Sequence, residues 1–486
     1  MDSNKQRERV MEAAAAPESV TQGGGLEVVV FPWLAFGHMI PFLELSKRLA
    51  ARGHAVAFVS TPRNLARLQP ADGVRFVPLP LPSVEGLPEG AEATSDVPPD
   101  EVSLLKKAMD GLAVPLAAFL AGSAGRRRTD WIIVDFCHHW VPPIADRHKV
   151  PCALFMIFPA ATMAFWGPRW ANAANPRTEP EDFAVPPKWM PFPSTAFFLR
   201  HEAEWVAGSF RANSSGVSDA ERLWEIMERC RLTIHRSCHE LEPGMFALLS
   251  DLNRKPAVPA GILLPCHEEE NNQSSSSSSQ ALRWLHDKPP KSVLYVALGS
   301  EAPLTRENIH ELALGLELAG VRFLWALRKP VSTAGRNDYD GELLPAGFEE
   351  RTLGRGVVCT GWVPQVKALA HAATGAFLTH CGWGSTVESF AFGHPLVMLP
   401  FIIDQPMIAR AMAERGVGVA VARNESDGGS FTRDGVAAAV RHVMVEDQGK
   451  ILAANAKKMQ ELLVDQPRQD QYIHDLVDHL RRYKDA

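Results

Sequence analysis

The sequence predicts an α/β chain of two doubly wound domains. Each is an open parallel sheet covered by helices on both faces, and the two face each other across a cleft. Three observations predict this. From about Leu26 onward, short apolar runs alternate with longer stretches of helical period, and strands alternating with helices build parallel sheets covered on both faces. The 486 residues are too many for one hydrophobic core. An apolar-free run, CHEEENNQSSSSSSQ at 266–280, breaks the alternation, which then restarts.

The elements follow in chain order. Residues 1–24 are polar, Ala-rich and Gly-rich, lack the apolar core of a signal peptide, and read as a disordered lead. LEVVVF (26–31) is the first strand. PFLELSKRLAARG follows as a helix with Phe42, Leu45 and Leu49 on one face, Pro41 in its first turn and Gly53 at its C-terminal cap. His38 falls between that strand and that helix. AVAFVS (55–60), VRFVPL (74–79), WIIVD (131–135) and CALFMI (152–157) read as further buried strands. Residues 160–230 are irregular and rich in Trp, Phe and Pro, including Trp166, Trp170, Trp189, Phe192, Phe197, Phe198 and Trp205. Such a stretch suits cover over a cleft and core packing equally well.

The first domain is thus expected over 25–265 and a flexible linker over 266–281. The second domain, 282–465, carries the strands SVLYVAL (292–298), RFLWAL (322–327), GVVCT (356–360), GAFLTH (375–380) and PLVMLP (395–400). Residues 466–486 close the chain with an amphipathic helix, expected to pack back on the first domain. Open α/β sheets bind ligands beyond the carboxyl ends of their strands, so the cleft is the expected site.

Composition bounds the function. Hydrophobic residues at 46% and charged residues at 22% are ordinary for a soluble enzyme. A net charge of −6 argues against a general nucleic-acid binder, and the basic run Arg126-Arg127-Arg128 reads as a solvated loop. Seven scattered cysteines without a Cys-x-x-Cys pair fit reduced thiols in a cytoplasmic protein. No apolar run is long enough for a membrane span.

The chemistry gathers around HCGWGST, His380 to Thr386. Strand, Gly-rich turn and helix in succession aim backbone N–H groups at an anion. Gly382 and Gly384 would let that backbone come close, and Ser385 and Thr386 can cap the helix. The loop lacks the Lys of a P-loop and the spacing of a dinucleotide fold, so an anion site and a plain structural turn both stand on this loop alone. Upstream lies GWVPQ with Trp362, Val363 and Gln365, and downstream lie Asp404 and Gln405, with His380, Trp383, Ser385 and Glu388 between.

This set resembles the plant secondary product glycosyltransferase box, a signature of the family-one UDP-sugar glycosyltransferases. That box spans 44 residues, which is the span from Trp362 to Gln405 without a gap. DKPPKSVLYVALGS and the final helix are also similar to that family, and the resemblance covers nearly all of the chain from Leu26. It implies the GT-B architecture of two Rossmann-like domains, with a UDP-sugar as co-substrate and no metal or other cofactor. By the same resemblance Trp362 stacks on uracil, with Val363 and Gln365 holding the uridine and Glu388 the ribose hydroxyls. His380, Gly384, Ser385 and Ser300 hold the diphosphate, and Trp383, Asp404 and Gln405 face the sugar. These roles suit the residue types: carboxylate and amide groups pair with sugar hydroxyls, and a flat indole covers a base.

The first domain should then supply the acceptor site and the base. The family carries its catalytic His where FPWLAFGH places His38, and an Asp at the strand end occupied by Asp135. Neutral imidazole suits the deprotonation of an attacking alcohol, and the Asp orients it. Trp33, Phe36 and His139 are candidate acceptor contacts. The adjacent His138 and His139 have no further ligands supplied by any motif, so no metal is expected there.

The expected function is inverting transfer of glucose from UDP to a hydroxyl, by a cytoplasmic monomer. FPWLAFGH, STPRN and ALGLELAGVRFLWALRKP look most like the branch that glycosylates the sugar of an existing terpenoid or flavonoid glycoside. UDP-rhamnose is the alternative donor. A nucleotide-sugar-binding protein without turnover is the rival from another class, and the presence of His38 and Asp135 counts against it. An oxidoreductase would need a G-x-G-x-x-G after the first strand, where FPWLAFGH has none. Two departures from the box touch the donor: Gly384 and Ile408 stand where the family usually has Asn. Gly384→Asn is accordingly expected to restore a donor contact.

Overall fold

A computed structural model of the protein describes residues 24–122, 128–191, 196–265, 276–299, 301–328 and 343–485. The first sheet contains β1 (Glu27–Phe31), β2 (Ala55–Ser60), β3 (Val74–Pro78), β4 (Trp131–Val134), β5 (Cys152–Met156), β6 (Leu232–His235) and β7 (Ala257–Pro259). The second contains β8 (Val293–Ala297), β9 (Arg322–Ala326), β10 (Gly356–Cys359), β11 (Thr374–Thr379), β12 (Leu396–Met398) and β13 (Gly418–Ala420). The spatial orders are β3-β2-β1-β4-β5-β6-β7 and β10-β9-β8-β11-β12-β13, and every pairing is parallel. Both are the doubly wound arrangement that the alternating pattern predicts.

The period of two along each strand divides its side chains between two cores. Val28 and Val30 of β1 join Phe42, Leu45 and Leu49 on one face. Val29 and Phe31 join Leu105, Met109 and Leu116 on the other. In β11, Phe377 packs into one face of the second sheet and Ala376 and Leu378 into the other. Central strands buried on both faces read as continuous apolar runs, which is why VVV, WIIV and VLYVA were legible. The short strands β6, β7 and β13 went unread. LTIH is half polar, and β7 and β13 have three residues each.

The structure corrects three expectations. The first helix runs Phe36–Ala50, so Pro41 lies inside it and His38 in its first turn. His38 N–H already donates to Ala35 O, and burial of Met39, Phe42, Leu45 and Leu49 outweighs the one backbone bond that Pro41 cannot make. The expected linker 266–281 is helical from Ser276, in the helix Ser276–His286. Ala281 and Leu285 are fully buried and anchor a helix that Ser, a middling helix former, can extend. The earlier linker residues, 266–275, and nearly all of the expected N-terminal lead lie outside the described residues. Ser385 and Thr386 are interior to the helix Trp383–Ala391 rather than its caps, because the N-cap is Gly382.

The aromatic stretch after residue 160 serves mainly as core. Trp166 stacks on Phe210 at 5.5 Å. Arg177 sits 4.7–5.0 Å over the rings of Trp189, Phe165 and Phe183. The closing helix, Gln466–Tyr483, lays Ile473, Leu476, Val477 and Leu480 into the core of the first sheet, and Trp131 Nε1–H donates to Leu480 O at 3.0 Å.

Candidate functional site

In each sheet the chain order reverses beside its first strand, between β1 and β4 and between β8 and β11. The register pairs Phe31 with Val134 and Ala297 with Thr379, so each central pair ends level. The loops that leave these ends diverge to opposite sides and open a crevice, the usual ligand site of open α/β sheets. His38 and Asp135 lie at the first switch point and His380 at the second.

Asp135 follows β4 directly and is 1% exposed. Its Oδ2 accepts from Trp33 N–H at 3.1 Å and meets His38 Nδ1 at 2.7 Å, and its Oδ1 accepts from Phe136 N–H at 2.8 Å. Two backbone donors fix the buried carboxylate in place, and it orients the imidazole. Burial works to push the His38 imidazole down, yet Asp135 holds it above its ordinary value, with Glu301 and Asp404 of the second domain adding to the effect. The His38 ring is flanked by Phe136 and Phe158 at 5.7 and 5.6 Å. Behind it His138 is fully buried against Phe31, and burial lowers its imidazole to about 4. Its Nδ1 lies 3.1 Å from Asp135 O and 3.3 Å from Asp135 N, and it acts as a neutral prop for the strand end.

The second switch point answers a question of bulk. The His380 imidazole lies between two glycines. A Cβ on Gly299 would meet its Cε1 at 2.7 Å, and a Cβ on Gly382 would meet its Nε2 at 2.6 Å. Burial lowers the imidazole to about 4, so it is neutral. Left-handed backbone at Cys381 (φ 66°) and Ile403 (φ 58°) bends the chain just before Gly382 and just before Asp404. Such angles are costly for residues other than Gly and cluster at functional loops.

Around this turn Gln365 Nε2–H donates to Glu388 Oε2 at 2.8 Å and to Ser385 Oγ at 3.1 Å, which joins three of the predicted residues in one cluster. Burial raises the Glu388 carboxyl, while Gln365 and Arg236 oppose the rise. Trp362 is 59% exposed, with Arg328 over its ring at 5.9 Å, and the adjacent Val363 is buried. Gln405 Oε1 accepts from Phe401 and Ile402 N–H, which leaves its amide nitrogen without a partner among the described residues. Asp404 is 5% exposed, and burial raises its carboxyl to about 7.

Several predicted residues sit otherwise than their assigned roles suggest. Trp383 is packed into the core between the domains, its indole N–H donating to Arg236 O of the first domain at 2.7 Å. Trp33 is buried and reaches the site through its backbone bond to Asp135. The Phe36 ring lies beneath Arg67, on the face of the sheet that packs the first helix. His139 Nδ1 accepts from Arg222 at 3.1 Å, and burial together with that guanidinium lowers its imidazole. Ser300 lies outside the described residues. Sequence reasoning missed Phe136, Phe158, Glu301 and Arg236. The only signal available was position, since each follows the carboxyl end of a strand.

The comparisons with known proteins agree with this architecture. The family model described as "UDP-glucoronosyl and UDP-glucosyl transferase" matches residues 221–473. UDP-glycosyltransferase 91B1 of Arabidopsis thaliana is 43% identical over 472 residues, 94% of this chain and 97% of that one. Soyasaponin III rhamnosyltransferase of Glycine max is 36% identical over 473 residues, 94% of this chain and 96% of that one. The structure of Phytolacca americana UGT2 complexed with UDP-2fluoro-glucose and pterostilbene matches with a TM-score of 0.73 at 25% identity, covering 94% of this chain and 100% of that chain.

Proposed function

The chain belongs to the family-one UDP-glycosyltransferases of plants, with their GT-B fold, and from that premise we propose that it transfers glucose, with inversion, to a hydroxyl on the sugar of an existing glycoside. The observation that carries the catalytic half is the buried His38–Asp135 pair at 2.7 Å. Asp135 occupies Nδ1 of the imidazole, which leaves Nε2 as the base. The acceptor O–H gives its proton to Nε2 as its oxygen attacks the anomeric carbon opposite UDP. The C1–O bond to the diphosphate breaks and UDP leaves with the electron pair. Asp135 stabilises the imidazolium that results.

On the donor side, Trp362 covers the uracil, Val363 lies under it, and the Gln365–Glu388 pair takes the ribose. The N–H groups opening the helix Trp383–Ala391, with His380 and Ser385, receive the diphosphate. Asp404 and the Gln405 amide take sugar hydroxyls, and the burial that raises the Asp404 carboxyl supports that role for it. The donor needs no metal in this reading. Glucose as donor and a glycoside as acceptor rest on resemblance: UDP-glycosyltransferases of one numbered branch recur among the relatives, and one further relative is named as a β-D-glucosyl crocetin β-1,6-glucosyltransferase. The soyasaponin relative, named a rhamnosyltransferase, favours UDP-rhamnose as the second reading. Among the described residues no helix is long and apolar enough to cross a membrane, and six cysteines are free and buried, which supports a reducing cytoplasmic setting. The acceptor is expected to meet a monomer.

Purified protein offered UDP-glucose or UDP-rhamnose with paired aglycones and monoglucosides, read by product mass, tests the assignment. Glucosylation of monoglucosides is expected, with higher kcat/KM than for aglycones. Rhamnosylated products would establish the second reading. His38→Ala should lower transfer by about 10²–10⁴-fold while UDP binding survives. Wild-type turnover in that variant would remove His38 from the mechanism.

A further inference from the structure

The donor reading leaves one buried cation unused. Arg236 follows β6 of the first domain and is 2% exposed. Its Nε–H donates to Ile262 O at 2.9 Å and its Nη2–H to Leu263 O at 3.3 Å. Among the described residues Nη1 has no hydrogen-bond partner and the guanidinium makes no ion pair. Glu388 and Glu44 act on it only through space. Burial lowers the group to about 10, so it stays charged at neutral pH.

Nη1 points at the opening of the helix Trp383–Ala391. A Cβ on Gly384 would lie 3.3 Å from it, with no other heavy atom within 4 Å. The carbonyl of Arg236 is fixed to the same helix through the Trp383 indole. A helix N-terminus and a guanidinium with a free N–H thus converge on one spot, and both favour an anion. A buried cation without a counter-ion is costly, and an arriving anion would offset that cost.

We propose that Arg236 is a diphosphate-binding residue of the donor site, reaching across from the first domain, and that Gly384 is the gap that admits it. The inference rests on the donor reading above and deepens it. It assigns the first domain a share in the donor site, and it gives the leaving UDP a fixed positive charge without a metal ion. It also reverses the expectation for Gly384→Asn. The space beside Gly384 is bordered by the guanidinium, and a side chain there crowds it, its Cβ falling 3.3 Å from Nη1.

Calorimetry with UDP and with uridine, which lacks the phosphates, tests this on the full chain. Arg236→Met keeps the length and the apolar stem. It should weaken UDP binding by about 10- to 100-fold, the loss of a charge-assisted hydrogen bond, and leave uridine binding within about twofold. Gly384→Asn crowds only the Arg236 guanidinium and should weaken UDP selectively as well, by about 3- to 10-fold. Equal losses for UDP and uridine would make Arg236 a structural pin of the domain seam and overturn the proposal. Unchanged or tighter UDP binding in Gly384→Asn would overturn the role given to the gap. Wild-type protein that bound neither ligand would overturn the donor reading itself, and this inference with it.

Discussion

Replacing Asp135 by Asn removes one negative charge 2.7 Å from His38 Nδ1 while keeping the side chain's shape. Two effects follow, and they separate on the pH axis. A charge-assisted hydrogen bond contributes about 1.5–3 kcal/mol, so turnover on the alkaline plateau should fall by about 10- to 150-fold. In the wild type Asp135 raises the His38 imidazole above its ordinary 6.5 despite burial. The base works only when neutral, so activity rises as pH climbs through that raised value. Without Asp135 burial acts against less opposition, the imidazole falls, and the acid limb moves to lower pH. The assay is the pH profile of kcat with UDP-glucose and an accepted glycoside. Asp404 titrates in the same window, at about 7, and also acts on His38, so Asp404→Asn is run beside it to separate that carboxyl's share of the acid limb from the share of Asp135. An acid limb unmoved in Asp135→Asn, with turnover within about threefold of wild type, would refute the reasoning.

Three further outcomes are expected. Asp404→Asn should raise donor KM well above neutrality, where the wild-type carboxylate is charged, and change it little well below, where that carboxyl is already protonated. An equal effect at both ends would deny that its charge binds the donor. Gly382→Ala places a Cβ 2.6 Å from His380 Nε2 without straining a backbone at φ −57°. Overpacking of about 1–3 kcal/mol should appear as weaker UDP binding with uridine spared, and normal UDP affinity would remove His380 from the diphosphate site. Activity should persist in excess chelator; loss of activity restored by Mg²⁺ would show a metal at the donor site.

Much of the fold was legible because buried parallel strands carry their own signal. VVVF, AFVS, WIIV, CALFM and VLYVA present apolar side chains to both faces of their sheets. The box was legible because its spacing is rigid: two strands and three helix starts fix the interval from Trp362 to Gln405. The start of the first helix was not. Ala35 offers no capping side chain and Pro41 suggests a later beginning, yet packing of Met39 and Phe42 carries the helix back to Phe36. That shift matters for chemistry, because it seats His38 in a first turn whose backbone is held by Ala35.

Contacts made by topology leave no trace in local pattern. Arg236 and Trp383 are 147 residues apart in the chain and touch because one ends a strand of the first sheet and the other begins a helix of the second. From sequence alone the small residues of HCGWGST had one explanation, backbone approaching a ligand. The structure divides them. Gly382 makes room for the imidazole of His380, from its own turn, as Gly299 does from the neighbouring strand end. Gly384 borders a guanidinium from the other domain. A glycine in a sequence says that something comes close; only the fold says what. At Gly384 the difference sets the sign of a mutation under this proposal, since filling an empty space would add a contact and filling this one crowds the guanidinium proposed to meet the diphosphate.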